Sequence, residues 1–165
     1  WEEAALTEAW QKELDLLHQA MRATTQEESL QLAREFLHQR EMRREAAKLS
    51  DALIDYERCR EWEEGIAKYA ERMIYLLAHQ TPAYQPLPEM DQDPEVQQYQ
   101  GAQKKWDQEV DQIRRMANDP GDGRFYYSGF AQAVLLDRLA PGWKDRLFDS
   151  GVWLEDLLRE AAAVP

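Results

Sequence analysis

At 165 residues, with 44% apolar side chains, six Trp and seven Tyr, the chain carries enough apolar material for a proper core, which argues against global disorder. Thirty-two acidic against twenty basic residues give a net charge of −12, which repels phosphate backbones and anionic lipid and speaks against nucleic acid as a partner. One cysteine, Cys59, excludes an intramolecular disulfide, and no run approaches the roughly 20 apolar residues needed to cross a bilayer.

The chain starts at Trp1 already inside helix-like sequence and shows no signal-peptide pattern, so it reads as an excerpt of a longer protein whose compartment stays open. Trp10, Leu14, Leu17 and Met21 recur at i, i+4, i+7 and i+11, predicting a first helix over about 2–22. Thr24 and Thr25 restart the chain. Each is followed three residues later by a Glu (Glu27, Glu28), the capping-box arrangement that satisfies free amides of a first turn. From Gln26 to Gln80 there is no Pro and one Gly, which would make a helix of about 80 Å at 1.5 Å per residue, longer than a small domain is wide. A break is therefore expected at Ser50-Asp51, giving helices over about 26–48 and 51–79. Residues 81–93, rich in Pro, read as a surface loop. A helix over about 94–117 follows, ended by the turn cluster Asn118-Asp119-Pro120-Gly121-Asp122-Gly123, then an apolar helix over 125–139, a Pro141-Gly142 turn and a last helix over 154–163. No strand alternation or internal repeat is present. The expectation is an all-α fold: an irregular bundle of about five to seven helices with two long central ones, in a single unit (1–165) made of long helices (1–80), the Pro-rich loop and a helical cap (94–165).

Candidate chemistry concentrates on the second long helix. Glu57, Glu61, Glu64 and Lys68 lie at i, i+4, i+7 and i+11, so three carboxylates share one face with a Lys at its end. Charge runs at this spacing usually form a solvated face. Against that stands the surrounding apolar and aromatic content, Tyr56, Trp62, Ile66, Tyr69, Met73 and Leu76, which suits a central helix in which an unpaired carboxylate would be costly. Gly65 follows Glu64 directly, and an interior Gly costs a helix about 1 kcal/mol relative to Ala. The Gly is easiest to understand if another backbone or an ion must approach beside Glu64.

The run Glu64-Gly65-Ile66-Ala67-Lys68-Tyr69 resembles the downstream helix of the gluzincin zinc peptidases, in which the first Glu of an E-G-x-A-x-Y stretch is the third metal ligand. The resemblance spans about eleven residues, Glu61 to Glu71. It implies Glu64 as a zinc ligand, peptide as substrate and a His pair one helical turn apart, with an intervening Glu to deprotonate the bound water. No His-Glu-x-x-His occurs in the chain, and the window shortly upstream of Glu64 reads Glu41-Met42-Arg43-Arg44-Glu45. Either the His pair precedes Trp1 in the parent, as a partner segment of the same protein, or the metal has been lost. In both cases this chain alone is expected to be inactive and to hold no zinc tightly. The stretch Tyr126-Tyr127-Ser128-Gly129 through Leu135-Leu136-Asp137-Arg138-Leu139-Ala140-Pro141-Gly142-Trp143 is similar to the tail of bacterial metallopeptidase-like proteins, which implies Tyr126 or Tyr127 as an oxyanion stabiliser.

Two other readings compete. Asp15-x-x-His18 and Glu35-x-x-His38, with a Glu from among Glu57, Glu61 and Glu64 and with Glu95 or Glu109, match loosely the carboxylate–histidine set of di-iron bundles; for each His a plain surface or partly buried role is the commoner outcome. A non-catalytic helical module that binds another protein through an apolar groove is the alternative to an enzyme, with Trp10, Trp106, Trp143 and Trp153 as anchor material. Cys59, between Arg58 and Arg60, has no His placed to activate it.

Overall fold

The computed structural model describes residues 4–85, 87–90, 92–94 and 101–163, and these are all-α with no strand. The first helix, α1 (Ala4–Arg22), packs along α2 (Gln26–Ala46) as an antiparallel hairpin. Their short connection is closed by the expected cap. Thr25 Oγ1 accepts from Glu28 N–H at 3.1 Å, and the Glu28 carboxylate accepts from Thr24 N–H at 3.2 Å, so hydroxyl and carboxylate each take one free amide. The α2 helix stops at Ala46, where Lys48 turns left-handed (φ 48°) and Leu49 N–H closes onto the Arg44 carbonyl at 3.0 Å.

The second long helix starts at Asp51, as the N-cap pattern predicts, and runs to Gln80 in three pieces: α3 (Asp51–Arg60), a π-helical turn (Glu61–Gly65) and α4 (Ile66–Gln80). A three-residue 3₁₀ turn, Pro88–Met90, punctuates the Pro-rich connection. Then come α5 (Ala102–Gln112), which tightens into a 3₁₀ stretch over Ile113–Asn118, α6 (Gly123–Leu139), a 3₁₀ turn at Trp143–Arg146 and α7 (Leu154–Ala161). The predicted start of the fourth helix, with Glu95, lies outside the described residues. Asp119 opens α6 by accepting from Gly121 and Gly123 N–H at 3.0 and 2.9 Å, and Gly142, left-handed at φ 97°, turns the chain after its end.

The centre of the bundle is α6. Ten of its residues are buried, and it touches α1, α2, α3, α4, α7 and the π turn. Small residues allow this many neighbours. Gly65 and Gly129 meet backbone to backbone: a Cβ on Gly65 would fall onto Gly129 Cα and 2.6 Å from its carbonyl carbon, and one on Gly129 would fall onto the Glu61 carbonyl oxygen and 2.9 Å from Gly65 Cα. The interior Gly read from sequence thus has its explanation in an approaching helix.

Gly65→Ala or Gly129→Ala should each destabilise the fold by about 2–3 kcal/mol, the overpacking cost outweighing the roughly 1 kcal/mol gained in helix propensity. Gly101→Ala, where a Cβ meets nothing within 4 Å, should change stability little. Urea unfolding of the three variants checks this ordering; equal midpoints for all three would contradict the close approach.

Candidate functional site

Ionic groups fill one end of the core. Four carboxylates, Glu13, Glu57, Glu61 and Glu155, and four guanidinium groups, Arg40, Arg43, Arg44 and Arg124, are buried among the described residues, so the interior charge balances. The arrangement follows from helix periodicity. On α2 the face that begins with Ala33, Phe36 and Leu37 continues as Arg40, Arg43 and Arg44, and on α1 Glu13 sits between Trp10 and Leu14. Charged residues there occupy core positions and must find partners inside.

Arg40 is the hub. Its Nε donates to Glu13 at 3.1 Å, Nη1 to Glu61 at 2.8 Å and to Glu155 at 3.3 Å, and Nη2 to Glu61 at 2.5 Å. Arg43 donates to Glu13 at 2.5 Å and, as a fork, to Glu57 at 2.7 and 3.0 Å. Arg44 bridges Glu57 and Glu155, each at 2.9 Å. Aromatic rings complete the shell, with the Arg40 guanidinium 4.5 Å from the Phe36 centroid and that of Arg43 4.0 Å from Trp10. Ser128 of α6 donates to Glu61 at 2.5 Å. Burial alone would push the Glu155 carboxyl up, but Arg40, Arg44 and Arg58 outweigh it and hold its pKa at about 2. Glu57 is lowered in the same way, burial opposing and Arg43 prevailing. Arg40 is disfavoured as a cation by burial, yet Glu61, Glu13 and Glu155 raise its pKa well above the ordinary value. Glu57 and Glu155 are therefore held ionised, and all four carboxylates are bonded to guanidinium groups and shielded from water, which suits neither proton transfer nor nucleophilic attack.

Of the acids on the face read from sequence, Glu57 and Glu61 join this cluster, and the other residues singled out lie elsewhere. Glu64 is not at this centre: its side chain is 27% exposed, 3.7 Å from Arg60, and its carboxylate beside Tyr126 pushes the phenol pKa up. Glu57 and Glu61, earlier on the same face, are the buried members of the run, while Glu63 is exposed. Ala67 is exposed and Gly65 buried, so the two face different ways. Lys68 pairs with Glu109 at 2.7 Å. Tyr127 lies apart from Glu64, its hydroxyl donating to Glu109 at 2.7 Å under the Lys68 ammonium; burial and Glu109 raise its pKa well above that of a free phenol. Glu64 thus neighbours Tyr126, whereas the Tyr127 hydroxyl is engaged by Glu109. Asp15 accepts from Gln11, His18 faces Asp111 at 3.2 Å, and Glu35 and His38 are exposed, so the two carboxylate–histidine pairs do not converge. Among the described residues no group of three or more His, Cys, Asp or Glu is placed to hold a metal ion. Burial and Glu63 raise the Cys59 thiol, which works against a reactive thiolate.

The cluster around Arg40 escaped the sequence reading, although a signal existed: Arg and Glu at core positions of helices that are otherwise apolar on that face. No protein-family model, curated protein or solved structure matches the chain significantly.

Arg40→Met should destabilise by about 3–5 kcal/mol because it strands buried carboxylates. Gln132, fully buried with neither amide atom paired among the described residues, gives the opposite contrast: Gln132→Met should be neutral or stabilising by about 1 kcal/mol. Chemical denaturation of both variants reads the difference. The pH dependence has a definite sign. Because Glu155 and Glu57 are depressed on folding, their contribution is fully present above the ordinary carboxyl value of 4.5 and is lost as pH falls toward 2. Thermal melts between pH 7 and 2 should show a plateau down to about 4.5 and a decline below it.

Proposed function

We propose that the chain is a non-catalytic, all-helical module that acts by binding another protein. The observation that supports this best is the saturation of the buried acids: Glu13, Glu57, Glu61 and Glu155 are each held by guanidinium groups, so the interior offers no carboxylate for a metal or for proton transfer. The same arrangement makes a rigid scaffold. Each of the three buried Arg residues of α2, Arg40, Arg43 and Arg44, spans at least two other elements, which suits a domain that presents a fixed surface. The Trp anchors proposed from sequence serve the core in part, Trp10 and Trp143 being buried, while Ile74 (61% exposed), Leu77 (53%) and Phe148 (78%) stand at the surface.

One observation favours a second reading, the zinc-peptidase-like hydrolase with Glu64 as third ligand and the His pair supplied from outside residues 1–165. Glu64 and Tyr126, ligand and oxyanion stabiliser in that reading, are neighbours near the surface, close enough for the carboxylate to raise the phenol pKa. The two readings part on one experiment. The longest natural form of the protein, wild type and Glu64→Gln, is assayed for zinc content after dialysis and for peptide hydrolysis. The binding module should retain no stoichiometric zinc and be unaffected by the substitution. Stoichiometric zinc and hydrolysis that both fall at least about 100-fold in Glu64→Gln would establish the hydrolase instead, since the amide lacks the anionic oxygen of a ligand carboxylate.

A further inference from the structure

The solvent side of α4 carries a pattern that the bundle does not use. Ala67, Ala70, Ile74 and Leu77 follow each other at spacings of 3, 4 and 3 residues, the seam of a coiled-coil helix, and all four are exposed. Ile74 and Leu77 are 61% and 53% exposed, although α4 buries Tyr69 on its other side. The seam is about 15 Å long at 1.5 Å per residue. In heptad terms Ile74 takes an a position and Leu77 a d position, the residue types that a knobs-into-holes partner favours there, while the two Ala upstream let a second helix come close. Beside the seam stand Glu64 and Glu71, 27% and 49% exposed. Both occupy e positions, where interhelical ion pairs form.

We propose that this face of α4 docks an amphipathic helix of a partner protein that carries an apolar stripe flanked by Lys or Arg. The inference rests on the binding-module reading and specifies its surface and partner. Charge decides the occupant. Glu71 lies 2.7 Å from Arg72 and Glu64 3.7 Å from Arg60, yet both remain open to solvent, so each can take a further cation from a partner opposite, and a chain of net charge −12 repels its own copies. Size points the same way. Two large apolar side chains and two Ala fall far below the roughly 1,600 Å² that a stable protein dimer buries, but they match the anchor set of a helix laid on a helix.

The test uses two synthetic four-heptad peptides with Ile at a and Leu at d, one with Lys at the e and g positions and one with Glu, each fluorescently labelled. Anisotropy titration with the full chain should show saturable binding of the Lys peptide and at least tenfold weaker binding of the Glu peptide. Ile74→Asp/Leu77→Asp, at exposed positions that should leave the circular dichroism spectrum and melting temperature unchanged, should weaken the Lys peptide at least tenfold. Glu71→Lys should weaken it severalfold and reduce its salt dependence. Failure of the wild type to bind the Lys peptide, equal binding of both peptides, or undiminished binding by the double variant would overturn the proposal. So would a concentration-dependent dimer in sedimentation velocity that disappears in Ile74→Asp/Leu77→Asp, because the occupant would then be a second copy. None of these results bears on zinc or hydrolysis, so the non-catalytic reading stands or falls separately.

Discussion

The fold depends on the pairing of Arg40, Arg43 and Arg44 with carboxylates that come from four other places in the chain. A guanidinium or carboxylate removed from water carries a penalty of several kcal/mol, which is offset only when geometry and hydrogen bonding are both good. Here one helix supplies three of the buried cations, and α1, α3, the π turn and α7 supply the anions. Each bond therefore fixes the axial position and rotation of one helix against α2. An apolar core tolerates small sliding of its layers, whereas a fork of two N–H···O bonds such as that between Arg43 and Glu57 does not.

The remainder of the core is organised around that constraint. Phe36 and Trp10 lie against the guanidinium planes and so separate the ionic layer from the aliphatic one built on Leu14, Leu17, Leu37, Leu135, Leu136, Leu154 and Leu158. A second polar knot centres on Asp137, which accepts from Tyr69, Trp143 and Lys144 at 2.6, 2.9 and 2.6 Å. It ties α4 to α6 and to the turn that follows α6. The result is a bundle whose polar side chains set register while its apolar ones supply most of the favourable burial.

Those features that depend on nearby residues were legible in the sequence. The Thr25 cap, the break before Asp51, the Asp119 turn and the reversal at Pro141-Gly142 each follow from side chains within a few positions of one another. Gly65 was legible as a point of close approach, but not what approaches, because its counterpart Gly129 lies on another helix. The ionic centre was harder still. Arg40 reaches Glu155 across 115 positions, and the local pattern of Arg40-Glu41-Met42-Arg43-Arg44 reads as a solvated, highly charged helix end. Only the overlap of those Arg positions with the apolar stripe of α2 distinguishes burial from exposure. Glu64 and Glu61 differ by three places on one helix, and the choice between them is made by the widened turn that starts at Glu61, which no residue type in the run announces.

That widened turn governs more than Glu61. A π turn holds one residue beyond what α-helical winding needs, and each residue of an α-helix turns the chain by about 100°. Residues 61–65 therefore act as a phase shifter between the two halves of one long rod. With the extra residue, α3 aims Glu57 at the guanidinium cluster while α4 aims Tyr69 at Asp137, two targets that a uniform helix of the same length would bring out of step. The sum of residues between Glu57 and Tyr69 is thus a fixed quantity: the sequence can vary there, but its length cannot change by one without turning one half of the rod away from its partners.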